Sequence, residues 1–422
     1  MNRFLIPASA KSWVPVPADS PFPIQNLPFG VCLLDEEGST TVAVPIGEQV
    51  LILLPLQEEG LIGEELELLE NLDAISPQEL SELRREIFDL LREGNPKLRD
   101  NKELRSDCLY PLSEAFPATP MHIGAFVDFY SGIHHASNVG KMFRPDMPPL
   151  LPNYRWMPIG YNGRSSSIVP DGSDIERPRG QIKVGDDDPI YVPTRELDFE
   201  LEVGFFVGGE TEAGETVPVA DAESYMMGLV LVNDWSARDV QRFEYQPLGP
   251  FLAKSFATSI SPWIVTLDAL APFRCEGMAQ EPAPLPHLAS VGRAHYDIEL
   301  EVSIQSAKMT QPQVICRSNT KHLYWSFAQQ LAHQTSNGTP LETGDLYGSG
   351  TISGADKGMF GSMLELCWRG TEPITLTETG ETRTFLEDGD TVIMSGWAQG
   401  NGFRVGLGEV RSTVIPARPW SG

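Results

Sequence analysis

Residues 197–206 read LDFELEVGFF, and the reading of this stretch decides the rest. In an extended segment successive side chains point to opposite faces. Leu197, Phe199, Leu201 and Val203 then share one face, and Asp198, Glu200 and Glu202 share the other. One reading is a half-buried antiparallel strand whose acidic side meets water. The alternative is an inward acidic face that a cation must neutralise. Glu200 and Glu202 would stand about 7 Å apart along such a strand, close enough to bracket one ion.

The whole chain frames that choice. With 422 residues it exceeds the size at which single cores stop growing, so two domains are expected. Hydrophobic residues make up 41%, which excludes extensive disorder. The 38 glycines and 35 prolines, set between short β-rich runs without a collagen-like period, predict mainly β architecture. A net charge of −27 argues against nucleic acid or an anionic membrane as partner. An anionic substrate would need a local cluster of cations. Cys32, Cys108, Cys275, Cys316 and Cys367 are scattered and form no CxxC pair, which fits reduced thiols in the cytoplasm better than disulfides or zinc. Neither a secretory leader nor a bilayer-spanning run is expected.

Along the chain, residues 1–119 read as one domain and 120–422 as another. Residues 40–53 (TTVAVPIGEQVLIL) predict two short strands joined through Ile46-Gly47-Glu48. A helix is expected over 76–95, with Ser76 as N-cap, Pro77 in the first turn, Glu79 completing a capping box and Gly94 as stop. Residues 322–338 read as a second helix ending at Gly338, and the Pro-rich 274–288 as an exposed loop.

Four stretches carry groups able to do chemistry. The apolar run in 228–256, GLVLVNDWSARDVQRFEYQPLGPFLAKSF, ends at Asp234 and is followed by Arg238, Gln241, Tyr245 and Lys254. Such runs suit strands buried on both faces, which would place Asp234 near the interior. An ordinary N-capping aspartate is the competing reading. If the chain turns helical after Asp234, Arg238 and Gln241 share a face. Residues 128–145, DFYSGIHHASNVGKMFRP, hold Asp128, Tyr130, His134, His135 and Arg144. A histidine acting as base needs a carboxylate to fix its tautomer. GYNGR (160–164) bears Tyr161 and Arg164. GSGTISG (348–354) offers backbone that can approach a ligand closely, and Glu365 in GSMLELCWRG (361–370) sits among apolar neighbours. Asp128, Glu200, Glu202 and Asp234 are hard oxygen donors suited to Mg²⁺ or Ca²⁺.

Together these stretches, in this order and spacing, resemble those of the fumarylacetoacetase (fumarylacetoacetate hydrolase) family. FPIQNLPFGVC (22–32) resembles that family's start, and the similarity weakens only across roughly 55–110. The resemblance implies a small Src-homology-like N-terminal β-barrel, a larger C-terminal β-roll carrying the site, and a homodimer. It also implies hydrolysis of 4-fumarylacetoacetate to fumarate and acetoacetate, the last step of tyrosine and phenylalanine catabolism. By the same resemblance Asp128, Glu200, Glu202 and Asp234 are metal ligands, and His135 with Glu365 activates water. Arg238, Gln241 and Lys254 stabilise an oxyanion, while Tyr130, Arg144, Tyr161, Tyr245 and Thr351 contact substrate. Asn162 departs from the family, which more often has histidine there. Asp198 receives no ligand role and His134 is read as structural. Two alternatives stand beside this one: a related acylpyruvate or diketo-acid hydrolase, hydratase or decarboxylase of the same fold, and a non-enzymatic Ca²⁺-binding β protein. The last leaves His135, Glu365 and Lys254 without a task.

Overall fold

The computed structural model describes residues 3–35 and 37–420. Two long sheets and one short one dominate, so the mainly β expectation holds. The first sheet has seven strands in the order Gly160–Asn162, Phe126–Phe129, Leu346–Gly348, Leu201–Val207, Met226–Asp234, Thr258–Ile260 and Ile168–Pro170. It is mixed: Leu346–Gly348 runs parallel to Phe126–Phe129, and Thr258–Ile260 parallel to Ile168–Pro170. The second sheet orders Gln313–Asn319, Glu299–Gln305, Thr391–Gln399, Arg404–Ile415 and Ile175–Glu176.

The centre of the first sheet is covered on both sides. Leu201, Val203, Phe205, Leu229 and Leu231 join Leu300, Met394 and Leu407 of the second sheet in one core. Phe206, Met227, Val230, Val232 and Leu346 point the other way, into a core shared with the N-terminal segment. That explains the unbroken apolar run ending at Asp234: a strand buried on both faces cannot alternate. It also disposes of the wet acidic face, since Asp198, Glu200 and Glu202 are all buried.

The N-terminal segment forms a four-stranded antiparallel sheet, Gly30–Leu33, Thr40–Ile46, Gln49–Ile52 and Leu109–Pro111. Ile46 pairs with Gln49, so Gly47-Glu48 makes the expected tight turn. The helix spans Pro77–Leu91 with the Ser76/Glu79 capping box in place. It stops at Arg92 rather than Gly94, because the backbone there turns extended. The second helix is shorter than read, Phe327–Thr335, because Ser326 caps it through Gln329 and leaves 322–325 outside. Residues 274–288 are mostly irregular, apart from a short pairing of Arg274–Cys275 with His295–Tyr296. All five cysteines are free. Among the described residues no helix is long and apolar enough to cross a membrane.

Arg84 ties the first helix to the chain's start. It is fully buried and donates to Asn26 O at 2.9 Å, Phe4 O at 3.0 Å and Gln25 O at 2.6 Å. Burial pulls its guanidinium down to about 10, against partial support from Asp268. Arg84→Met leaves three carbonyls unsatisfied and is expected to cost about 2–4 kcal/mol of stability, read by urea titration.

Candidate active site

Four carboxylates converge where strands of the first sheet end. Asp128 comes from Phe126–Phe129, Glu200 from the gap between Leu197–Asp198 and Leu201–Val207, Glu202 from the latter strand, and Asp234 from the last residue of Met226–Asp234. One oxygen of each lies within 4.8 Å of the others, and all four residues are buried. Register brings them together: Gly348 pairs with Asp128 on one side and with Gly204 on the other. Gly348 also makes the space. A Cβ there would lie 2.9 Å from Glu202 Oε2 and 3.3 Å from Asp128 Oδ1. The next turn is fixed by Gly350, at φ +78°, whose N–H donates to Glu202 Oε2 at 3.0 Å.

Two fully buried oxygens in this cluster, Asp128 Oδ1 and Glu202 Oε1, have no hydrogen-bond partner among the described residues. Buried, orphaned carboxylate oxygens at this spacing fit a hard divalent cation. The electrostatics agree. Burial first, then the neighbouring acids, push Asp128 and Glu202 well above the usual carboxylate range. Burial also raises Asp234, against Lys254. Glu200 differs: burial opposes its charge, but Lys254, Arg238 and His135 more than offset that and hold it low.

Lys254 donates to Glu200 Oε2 at 2.5 Å and Asp234 Oδ2 at 2.6 Å. Its surroundings are poorly solvated, yet those two acids hold it charged, above the ordinary lysine range. Arg238 opens the short helix Arg238–Glu244. Its Nη2 lies 2.7 Å from Glu200 Oε1, and its Nη1 donates to Gln241 Oε1 at 3.2 Å. The shared face expected of Arg238 and Gln241 is therefore present. The N-cap reading of Asp234 fails, because the helix starts four residues later with Ala237 at its cap.

Beside the cluster stands a histidine–carboxylate pair. His135, on the helix Ile133–Phe143, places Nδ1 2.7 Å from Glu365 Oε2 and Nε2 4.0 Å from Glu200 Oε1. Glu365 is fully buried and accepts from Asn138 Nδ2 at 2.9 Å, Ser353 Oγ at 2.8 Å and Ser362 Oγ at 2.9 Å. Burial disfavours its charge, but His135 and these donors outweigh that and keep it ionised. With Nδ1–H donated to Glu365, the free lone pair sits on Nε2, on the carboxylate side.

The remaining candidates divide. Tyr130 stands edge-on to His135, ring centres 5.3 Å apart. Tyr161 donates to Asp234 Oδ2 at 3.1 Å. Thr351 is buried with Oγ1 unpartnered among the described residues. Arg144 instead donates to Pro149 O at 3.2 Å, and Tyr245 is exposed, accepting from Gln246. Neither touches the cluster. Asn162 is exposed, and His134 packs edge-on to His322 at 5.9 Å. Sequence reading missed Asn138, Ser353, Ser362 and Asp198. Two had a signal: Asn138 lies one helical turn beyond His135, and Ser362 precedes Glu365 in an S-x-x-E capping pattern.

A buried carboxylate cradle shaped for a cation, flanked by a His–Glu pair and two cations, is the equipment of a hydrolase that activates water. Comparison with known proteins narrows this. Residues 25–120 match the fumarylacetoacetase N-terminal model, and residues 125–415 match the fumarylacetoacetate (FAA) hydrolase C-terminal model. The chain is 47% identical to fumarylacetoacetase of Caenorhabditis elegans, over 96% of this chain and 99% of that one. It is 46% identical to the Mus musculus fumarylacetoacetase with the same coverage. Among solved structures, a fumarylacetoacetate hydrolase from Exiguobacterium antarcticum aligns with TM-score 0.50 at 18% identity, covering 93% of this chain and 100% of that one, a likeness of fold alone. The chain belongs to the fumarylacetoacetase family.

Proposed function

We propose that this protein hydrolyses 4-fumarylacetoacetate to fumarate and acetoacetate, using the site just described. The observation that carries the reading is His135 Nε2 poised 4.0 Å from Glu200, at the rim of the carboxylate cluster, with Nδ1 locked by Glu365. His135 takes a proton from water as the oxygen adds to the carbonyl beside the scissile carbon–carbon bond. Arg238, Gln241 and Lys254 stabilise the oxyanion that forms. The carbon–carbon bond then breaks with its electron pair on the acetoacetate carbon, which regains the proton held by His135. Asp128, Glu200, Glu202 and Asp234 hold Mg²⁺ or Ca²⁺, which when bound supplies a Lewis acid and a template. Tyr130, Tyr161 and Thr351 contact the substrate. Arg144 and Tyr245, which stand off the cluster, anchor its carboxylates, which answers how an acidic protein takes an anion.

The same reading assigns residues 1–119 to an N-terminal β-barrel and 120–422 to a catalytic β-roll, with two copies forming a homodimer. Leu248 (96% exposed) and Phe251 (70% exposed), near Tyr245, supply apolar surface for a second copy. Five free cysteines support a cytoplasmic setting, and the net charge of −27 speaks against nucleic acid or membrane partners.

Following 4-fumarylacetoacetate consumption and fumarate release, with and without chelator, tests the activity. Cleavage abolished by chelator and restored by Mg²⁺ or Ca²⁺ is expected; no cleavage with either ion overturns the reading. Stability gives a second measurement. An ion that binds only the native state stabilises by about 2.7 kcal/mol at one hundred times its Kd, seen as a raised Tm. Because Asp128 and Glu202 are raised, the ion-free protein loses their contribution as pH climbs above the ordinary carboxylate range. The ion's effect on Tm should therefore grow as pH rises above the ordinary carboxylate range. Glu202→Gln is expected to blunt that shift and abolish turnover. A variant keeping the parent's metal response removes Glu202 from the ligand set.

A further inference from the structure

We propose that Asp198 is the positioning residue that fixes the water-activating pair and the oxyanion-stabilising arginine relative to one another, a role that rests on the hydrolase reading above. Its side chain is fully buried and every close donor around it belongs to one of those two groups. Oδ1 accepts the Met363 N–H at 2.7 Å, and Oδ2 accepts the Leu364 N–H at 3.0 Å and Arg238 Nε at 2.8 Å. The first two open the turn Met363–Leu366 that carries Glu365, whose own N–H is taken by Ser362 Oγ at 3.3 Å. Three consecutive N–H groups of that turn are thus satisfied, two of them by Asp198. The third contact sets the plane of the guanidinium, which leaves Nη2 facing Glu200 and Nη1 facing Gln241.

The backbone makes this a fixed junction. Asp198 pairs with Ser236, two residues before Arg238, while Glu200 bridges to Ser362. Between these two attachments the chain advances only two residues, so the two halves of the machinery hang on one short segment, and on it Asp198 is the side chain that hydrogen-bonds both Arg238 and the turn carrying Glu365. An asparagine is isosteric but presents one oxygen. Either Met363 or the Arg238–Leu364 pair of donors then faces an amide NH₂. Misplacing a catalytic group by fractions of an ångström costs turnover more than binding.

The test compares steady-state kinetics of the parent, Asp198→Asn, Arg238→Met and the double variant on 4-fumarylacetoacetate. Asp198→Asn is expected to lower kcat about 10–100-fold, the usual range for groups that orient reacting residues, with little change in KM. In the double variant it should add less than about threefold to the loss from Arg238→Met, because coupled groups are not additive. Asp198→Ser, whose hydroxyl is too short to span the two groups, should fall at least as far as Asp198→Asn. An active parent with an unaffected Asp198→Asn, or fully multiplicative losses in the double variant, overturns the proposal alone. An inactive parent overturns the hydrolase reading and this proposal with it. If both Asp198 variants fail to fold, Asp198 is a structural residue and the proposal falls.

Discussion

Replacing His135 by alanine is expected to lower turnover by about two to four orders of magnitude, the span a general base usually supplies. The fold should survive, because Glu365 would still accept from Asn138, Ser353 and Ser362. Metal affinity should be largely kept, since His135 stands beside the four carboxylates and is not one of them. Steady-state rates, together with the ion-dependent Tm of the variant, separate the two effects. A variant hydrolysing near the parent's rate would remove His135 from the mechanism. His134 is a poor substitute geometrically, being packed against His322.

Lys254→Met is expected to lower kcat about 100–1,000-fold, the scale of removing one oxyanion donor. Lys254 neutralises two acids that would otherwise repel one another, Glu200 and Asp234, so its charge is aimed inward and not solvated. The contact that matters grows as negative charge develops, so kcat should suffer more than KM. A raised KM at parental kcat would show instead that Lys254 binds a substrate carboxylate.

Much of this site was legible in the sequence, for a physical reason. Asp234 terminates a run too apolar for any exposed strand, and the Gly-rich stretch after it in space, GSGTISG, leaves room that a side chain would fill. What alternation alone got wrong was the environment of 197–202. A period of two says which residues share a face but not what covers it. Here both faces are covered, and the regular strand lapses at Phe199-Glu200. Asp198 was invisible as a functional group for that reason: its partners Arg238, Met363 and Leu364 lie far along the chain, and only the fold brings them to it. The positions of Arg144 and Tyr245 outside the cluster were equally illegible, because they depend on how loops lie over the site.

The strand Leu346–Gly348 lies between Phe126–Phe129 and Leu201–Val207, although it is made long after both. His135 and Glu365 are likewise separated by 230 residues of chain. On a ribosome that order has a consequence. The early strands and their acids emerge with the seat between them empty, and pairing across such sequence distances is slow. The ion cradle and the water-activating pair therefore come into being together, in a late step, when the last third of the chain has been synthesised. A prematurely terminated chain would carry unpaired strand edges and mutually repelling acids, and would be aggregation-prone material for proteolysis rather than a partly active enzyme.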